Sequence, residues 1–167
     1  AAHAVATSNC TTALHAALLA LDIGPGDEVI VPPHSYIASA NCVLHAGATP
    51  VFADISPATL NLDPAAVAAA ITPRTKAIIL NSPSNPTGML IGRDRLQGLA
   101  RLALEKGLVI ISDEIYDQLT FTPHQFVSIL QAEPKAAGQT VVVNGVSKTY
   151  SMTGWRIGYA AGPEELI

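Results

Sequence analysis

The sequence is short of charge and of aromatic rings: 13% of its 167 residues are charged and 5% aromatic, against 49% apolar. Nine basic residues face thirteen acidic ones, for a formal net charge of −4. With no basic stripe, nucleic acid is not an expected partner. No apolar run approaches the ~20 residues of a spanning helix, so no membrane is expected either. The N-terminus, Ala1-Ala2-His3-Ala4-Val5, lacks the basic start and long apolar stretch of a signal peptide. The two cysteines, Cys10 and Cys42, sit in different segments without metal-like spacing and read as free thiols of a reducing cytoplasm. The histidines His3, His15, His34, His45 and His124 have no paired ligand spacing, so surface or core roles are expected, with His34 nearest the presumed site. What remains is a globular composition, long enough for one domain with a proper core.

Short apolar runs alternate with helical patterns along the chain. The candidate strands are Ala4–Thr7, Glu28–Val31, Thr49–Ala53, Ala77–Asn81, Leu108–Ser112, Thr140–Asn144 and Ile157–Ala161. Thr11–Leu21 places Leu14, Leu18 and Leu21 on one helical face, and Arg93–Lys106 sets leucines among charges. Pro64–Ala70 follows Asp63, a helix cap with proline at the first position. Gly24–Asp27 is a turn, and Gly47 and Gly107 are helix C-caps. Such alternation predicts an α/β protein with a mostly parallel sheet. Ligands then sit beyond the carboxyl ends of the strands. The residues there are polar or ionisable: Ser8-Asn9-Cys10-Thr11-Thr12, His34-Ser35-Tyr36, Ser82–Pro86, Asp113-Glu114 and Ser147-Lys148. A dinucleotide site is disfavoured, because no Gly-x-Gly-x-x-Gly follows the first strand.

These residues form a chemical set. Lys148 follows a strand and Gly145 in a segment poor in charge, and a neutral amine there condenses with an aldehyde. Asp113 ends a buried run, where a carboxylate is costly unless paired; a pyridinium N–H is one partner, and capping a following helix is the other use. Asn85, in a proline-rich turn, can donate to a phenolate oxygen, and Tyr116, three residues past Asp113 on one helical turn, can do the same. The strand-to-helix junction at Ser8–Thr12 offers free N–H groups and a dipole to an anion, with the Thr11 or Thr12 hydroxyl added. Arg156 supplies a bidentate charge, and Tyr36 an aromatic face. Glu114 reads as an exposed acid at a helix start. Each residue alone also has a plain structural use.

The run Ser147-Lys148-Thr149-Tyr150-Ser151-Met152-Thr153-Gly154-Trp155-Arg156-Ile157-Gly158-Tyr159 resembles the lysine signature of class I/II aminotransferases. Asn81–Gly88 and Ser112–Tyr116 resemble that family's other cofactor motifs, in the family's order. The resemblance implies the large domain of a fold-type-I enzyme dependent on pyridoxal 5′-phosphate, a three-layer α/β/α unit. Its seven-stranded sheet has the last strand antiparallel. By the same resemblance Lys148 is the Schiff-base lysine and proton shuttle, Asp113 the pyridinium partner, Asn85 and Tyr116 the donors to the 3-oxygen, and Arg156 the phosphate ligand.

The first part resembles a different branch. Ser8–His15, Gly24–Pro32 and Ala46–Ile55 are similar to aminotransferases of nucleotide-linked keto sugars, also of fold type I. That likeness implies that Tyr36 stacks on the ring and that Cys10 and Thr11 meet the phosphate. Residues 1–167 are thus expected to be one cofactor-binding domain, composite in pattern, with the family's N-terminal arm and C-terminal small domain absent. The implied activity is amino transfer between an amino acid and a keto acid. Racemisation, β-elimination or decarboxylation on the same core, or cofactor binding without catalysis, are the alternatives. Family members imply a homodimer.

Overall fold

The computed structural model describes residues 3–121, 123 and 125–167. His124, read above as a surface or core residue, lies outside them. The strands are β1 (His3–Thr7), β2 (Glu28–Val31), β3 (Thr49–Phe52), β4 (Thr75–Asn81), β5 (Val109–Asp113), β6 (Thr140–Gly145) and β7 (Gly158–Gly162). All seven predicted strands are present, displaced by at most two residues at either end. They form one sheet in the order β1-β7-β6-β5-β4-β2-β3. β2 pairs in parallel with β3 and β4, β4 with β5, and β5 with β6. β7 is antiparallel to both its neighbours, β6 and β1, as the resemblance implies.

The helices are α1 (Cys10–Ala20), α2 (Ala38–His45), α3 (Pro64–Ala70), α4 (Arg93–Lys106), α5 (Ile129–Ala132) and α6 (Val146–Thr149). Strand side chains alternate between the sheet's faces. Val29, Val31, Ile79, Ile111, Val141 and Val143 meet Leu14 and Leu18 of α1 and Val43 of α2. Ile30, Ile78, Leu80 and Ile110 meet Val67 of α3, Leu96 and Leu99 of α4, and Ile129 of α5. Two apolar cores on opposite faces of one sheet make the three-layer α/β/α architecture.

Local chemistry sets the helix ends. The Asp63 carboxylate accepts from Ala65 N–H at 2.8 Å, with Pro64 in the first turn. Gly107 closes α4 in the left-handed region at φ 66°. At Gly24–Asp27 the Asp27 N–H returns to the Gly24 carbonyl at 3.0 Å. Helix α2 carries no leucine stripe to announce it, because it packs through small side chains: Ala38, Ser39, Ala40 and Cys42.

Two expectations are corrected here. The chain after β5 is not helical: Ile115–Gln118 is a pair of overlapping turns, closed by Asp117 N–H to Glu114 O at 3.0 Å and Leu119 N–H to Tyr116 O at 2.8 Å. Nor is Glu114 exposed. It is 6% accessible and accepts from Ser112 Oγ, Ser128 Oγ and Ile129 N–H at 3.0, 2.9 and 3.2 Å. Its carboxylate caps α5 from across the chain, and burial raises its pKa above the ordinary value.

Candidate active site

A cavity of about 520 Å³ opens at the carboxyl edge of the sheet. Its volume suits a small-molecule ligand. Cys10, Thr11, Tyr36, Asn85, Asp113, Tyr116, Lys148 and Arg156 all line it. Residues far apart in sequence are gathered because β1, β2, β4, β5 and β6 end there, and antiparallel β7 begins there. His34 is not among the lining residues; it borders a small crevice with Asn81 and Ser84.

At one end of the cavity stands the N-terminus of α1. Asn9 caps it, its Oδ1 accepting from Thr12 N–H at 2.9 Å, while Thr12 Oγ1 accepts from Asn9 N–H at 3.1 Å. This reciprocal box occupies the Thr12 hydroxyl, which also donates to Asn9 O at 2.8 Å. Of the two hydroxyls predicted for an anion, that of Thr11 is the one outside the box. The N–H groups of Cys10 and Thr11 are the first-turn donors left beside the cavity. Arg156 also lines the cavity, in the left-handed region at φ 55°, and donates to Thr153 O at 2.9 Å. A non-glycine residue held there costs roughly 1 kcal/mol, a cost tolerated where the side chain must be aimed.

Asp113 closes β5 at the floor of the cavity, 8% accessible. Burial pushes its carboxyl pKa from an ordinary 3.8 up to about 6, against Ile115 N–H, the Cys10 thiol and the neighbouring Asn81 side chain, which lower it. The carboxylate form still predominates at neutral pH. The Cys10 thiol donates to Asp113 Oδ1 at 3.3 Å. The Cys10 side chain thus turns to Asp113, while its backbone N–H stands in the first turn of α1 beside the cavity. Burial, then the Asp113 charge, raise the thiol pKa well above its usual range.

Asn85 Nδ2 and Tyr116 Oη are 3.2 Å apart, a hydrogen bond linking the turn after β4 to the turn after β5. The Asn85 backbone N–H is held by Asn81 Oδ1 at 3.1 Å. Lys148, half-buried in α6, places Nζ 5.6 Å from the centre of the Tyr116 ring. The neighbouring Thr149 Oγ1 donates to Asp117 Oδ1 at 3.2 Å, tying the lysine turn to the turn after β5. Tyr36 also lines the cavity and is 57% exposed.

Two contributors lie inside the quoted motifs without a role assigned to them there. Asn81 is buried and paired in register with Asp113, and a polar residue ending an otherwise apolar strand is its mark. Gly158 is the other. A Cβ there would meet Asn9 C at 2.3 Å and Cys10 N at 2.7 Å, so the backbone of β7 lies directly on the start of α1. A glycine inside a strand pattern signals such close approach.

The donor set matches a flat anionic cofactor with a basic ring nitrogen, a phenolate and an aldehyde: amides, a hydroxyl and a guanidinium at one end, a buried carboxylate on the floor, an amide–phenol pair and an amine. Comparisons with known proteins agree. Residues 1–114 match the model of the DegT/DnrJ/EryC1/StrS aminotransferase family. Over 161 residues the chain is 45% identical to an aspartate aminotransferase of Geobacillus stearothermophilus, covering 95% of this chain and 41% of that one. It is 47% identical over 156 residues to an aspartate/prephenate aminotransferase of Cereibacter sphaeroides, covering 92% and 39%. The solved aspartate aminotransferase from Rhizobium meliloti superposes with a TM-score of 0.91 at 35% identity, over 98% of this chain and 41% of that one. That from Thermus thermophilus with maleate gives 0.88 at 41% identity, over 98% and 42%. The chain thus spans about two-fifths of the length of the curated relatives it matches. It belongs to the DegT/DnrJ/EryC1/StrS aminotransferase family, within the fold-type-I enzymes dependent on pyridoxal phosphate.

Proposed function

We propose that this chain is a cofactor-binding large domain that holds pyridoxal 5′-phosphate as a Schiff base at Lys148 and transfers amino groups between an amino acid and a keto acid. The observation that carries the reading is the convergence of Lys148, Asp113, Asn85, Tyr116, Arg156 and the start of α1 on one cavity. Bound pyridoxal phosphate supplies an aldehyde for amines and an electron-withdrawing ring.

The chain's own residues do the rest. The N–H groups of Cys10 and Thr11, the Thr11 hydroxyl and Arg156 bind the phosphate. Asp113, ionised above about pH 6, pairs with the ring N–H and keeps that nitrogen protonated. Asn85 Nδ2 and Tyr116 Oη donate to the 3-oxygen, and Tyr36 stacks on the ring. Lys148 Nζ would hold the cofactor through its aldehyde and, as a free amine, would serve as the base that moves the substrate's proton.

Amino acid and keto acid are the proposed substrates, in line with the names of the relatives. We place the chain in the cytoplasm; the reading is supported by the free thiols of Cys10 and Cys42. No helix among the described residues is long and apolar enough to cross a membrane. A homodimer is proposed as well. Exposed Tyr36, Ile37, Tyr150 and Trp155 at and beside the cavity support it, and light scattering of the purified chain tests it.

Product analysis tests the reaction type. Incubation of the cofactor-loaded chain with alanine should give pyruvate and pyridoxamine phosphate in equal amounts. D-alanine or carbon dioxide as the product would assign racemisation or decarboxylation instead. Recovery of alanine, serine and aspartate all unchanged would leave a binding domain without catalysis.

A further inference from the structure

Cys10 and Asp113 stand 103 positions apart in sequence and meet on the cavity floor. Two protein donors converge on one carboxylate oxygen: Asp113 Oδ1 accepts from Cys10 Sγ at 3.3 Å and from Ile115 N–H at 3.2 Å. The terminal torsion of an aspartate is soft and roughly two-fold, so donors on one oxygen decide which way the other points. The carboxylate is buried and borders the cavity, and its second oxygen, Oδ2, takes neither of these donors. The backbone N–H of Cys10, in the first turn of α1, borders the same cavity.

We propose that Cys10 is a positioning residue for the cofactor: its S–H fixes Oδ1 of Asp113 and turns Oδ2 toward the ring nitrogen, while its backbone N–H meets the phosphate. One residue then sets the spacing between the two ends of the site. The inference rests on the reading that the cavity takes pyridoxal phosphate. A thiol held protonated by burial suits this part, since it donates and is no nucleophile. Cys42 is the natural control, because its thiol donates to Ser39 O at 3.5 Å and not to Asp113.

The test compares affinity for pyridoxal phosphate with affinity for the analogue carrying carbon in place of the ring nitrogen. Wild type should prefer the natural ring. Cys10→Ala should lose roughly tenfold of that preference, the scale of a hydrogen bond to a charged group. Cys42→Ala should keep the preference, and Cys10→Ser, with a hydroxyl donor, should fall between wild type and Cys10→Ala. A merely structural loss would weaken both ligands by the same factor, and that result, or no change in either, would overturn the proposal. A second readout needs no cofactor: carbon-13 titration of the Asp113 carboxyl should move to higher pH in Cys10→Ala and stay in place in Cys42→Ala. An unmoved titration in Cys10→Ala would also overturn it. Wild type that binds pyridoxal phosphate without a bond to Lys148 would instead defeat the cofactor reading, and this inference with it.

Discussion

Gly158 of β7 rests directly on Asn9, the cap of α1: a Cβ at Gly158 would stand 2.3 Å from the Asn9 carbonyl carbon and 2.6 Å from its oxygen. Because the obstacle is backbone, no rotamer change relieves it. Gly158→Ala should therefore push α1 away from β7, at a cost of about 3 kcal/mol, the upper range for overpacking. The same shift should weaken binding of the cofactor's phosphate end. Gly138→Ala, where a Cβ meets nothing within 4 Å, should stay within about 0.5 kcal/mol of the parent. Urea unfolding of both variants checks the contrast.

Asp113 sets function against stability. Its folded pKa, raised from 3.8 to about 6 by burial, means that the folded chain binds more protons than the unfolded one in that window. Its contribution is most favourable below pH 3.8 and is lost as pH rises through about 6. Asp113→Asn removes the buried charge, so the cofactor-free variant should be more stable than wild type at pH 7 by about 2 kcal/mol. That gap should close as pH falls toward 4. The variant should nevertheless bind pyridoxal phosphate more weakly. Unfolding curves at both pH values, beside a binding titration, separate the two effects.

Glu114 makes a structural counterpart. Glu114→Ala leaves the Ser112 and Ser128 hydroxyls and the Ile129 N–H without their acceptor, and should cost about 3 kcal/mol. Glu114→Gln keeps an acceptor oxygen and sheds a desolvated charge, so its cost should stay under about 1 kcal/mol. Both values come from denaturant midpoints. Cofactor affinity in the Gln variant should match wild type, since Glu114 does not line the cavity.

The sheet was legible because its signals are local and redundant. Runs such as Val29-Ile30-Val31 and Ile78-Ile79-Leu80 are buried on both faces, and such a strand reads as a continuous apolar stretch. Helix α4 shows its leucines, its charged face and its Gly107 cap together. Helix α2 shows only its Gly47 cap, because alanine, serine and cysteine pack well without making a stripe. The site residues were legible as types at strand ends, since topology alone brings strand ends together. Their partners were not. Whether Cys10 turns its thiol to the anion or to Asp113, and whether Glu114 faces water or Ser128, depends on contacts between segments that spacing does not encode. The turn at Ile115–Gln118 escaped for a similar reason: Asp113 and Glu114 accept from Ile115 N–H and Asp117 N–H and close it before a helix can start.

The central claim is a covalent bond between pyridoxal phosphate and Nζ of Lys148, and borohydride reduction of the loaded chain tests it most directly. Wild type, reduced and digested, should yield one peptide carrying the pyridoxyl group, with the modification on Lys148. Lys148→Ala should yield none while remaining folded by circular dichroism. Label on another lysine, or equal labelling of wild type and Lys148→Ala, would contradict the account.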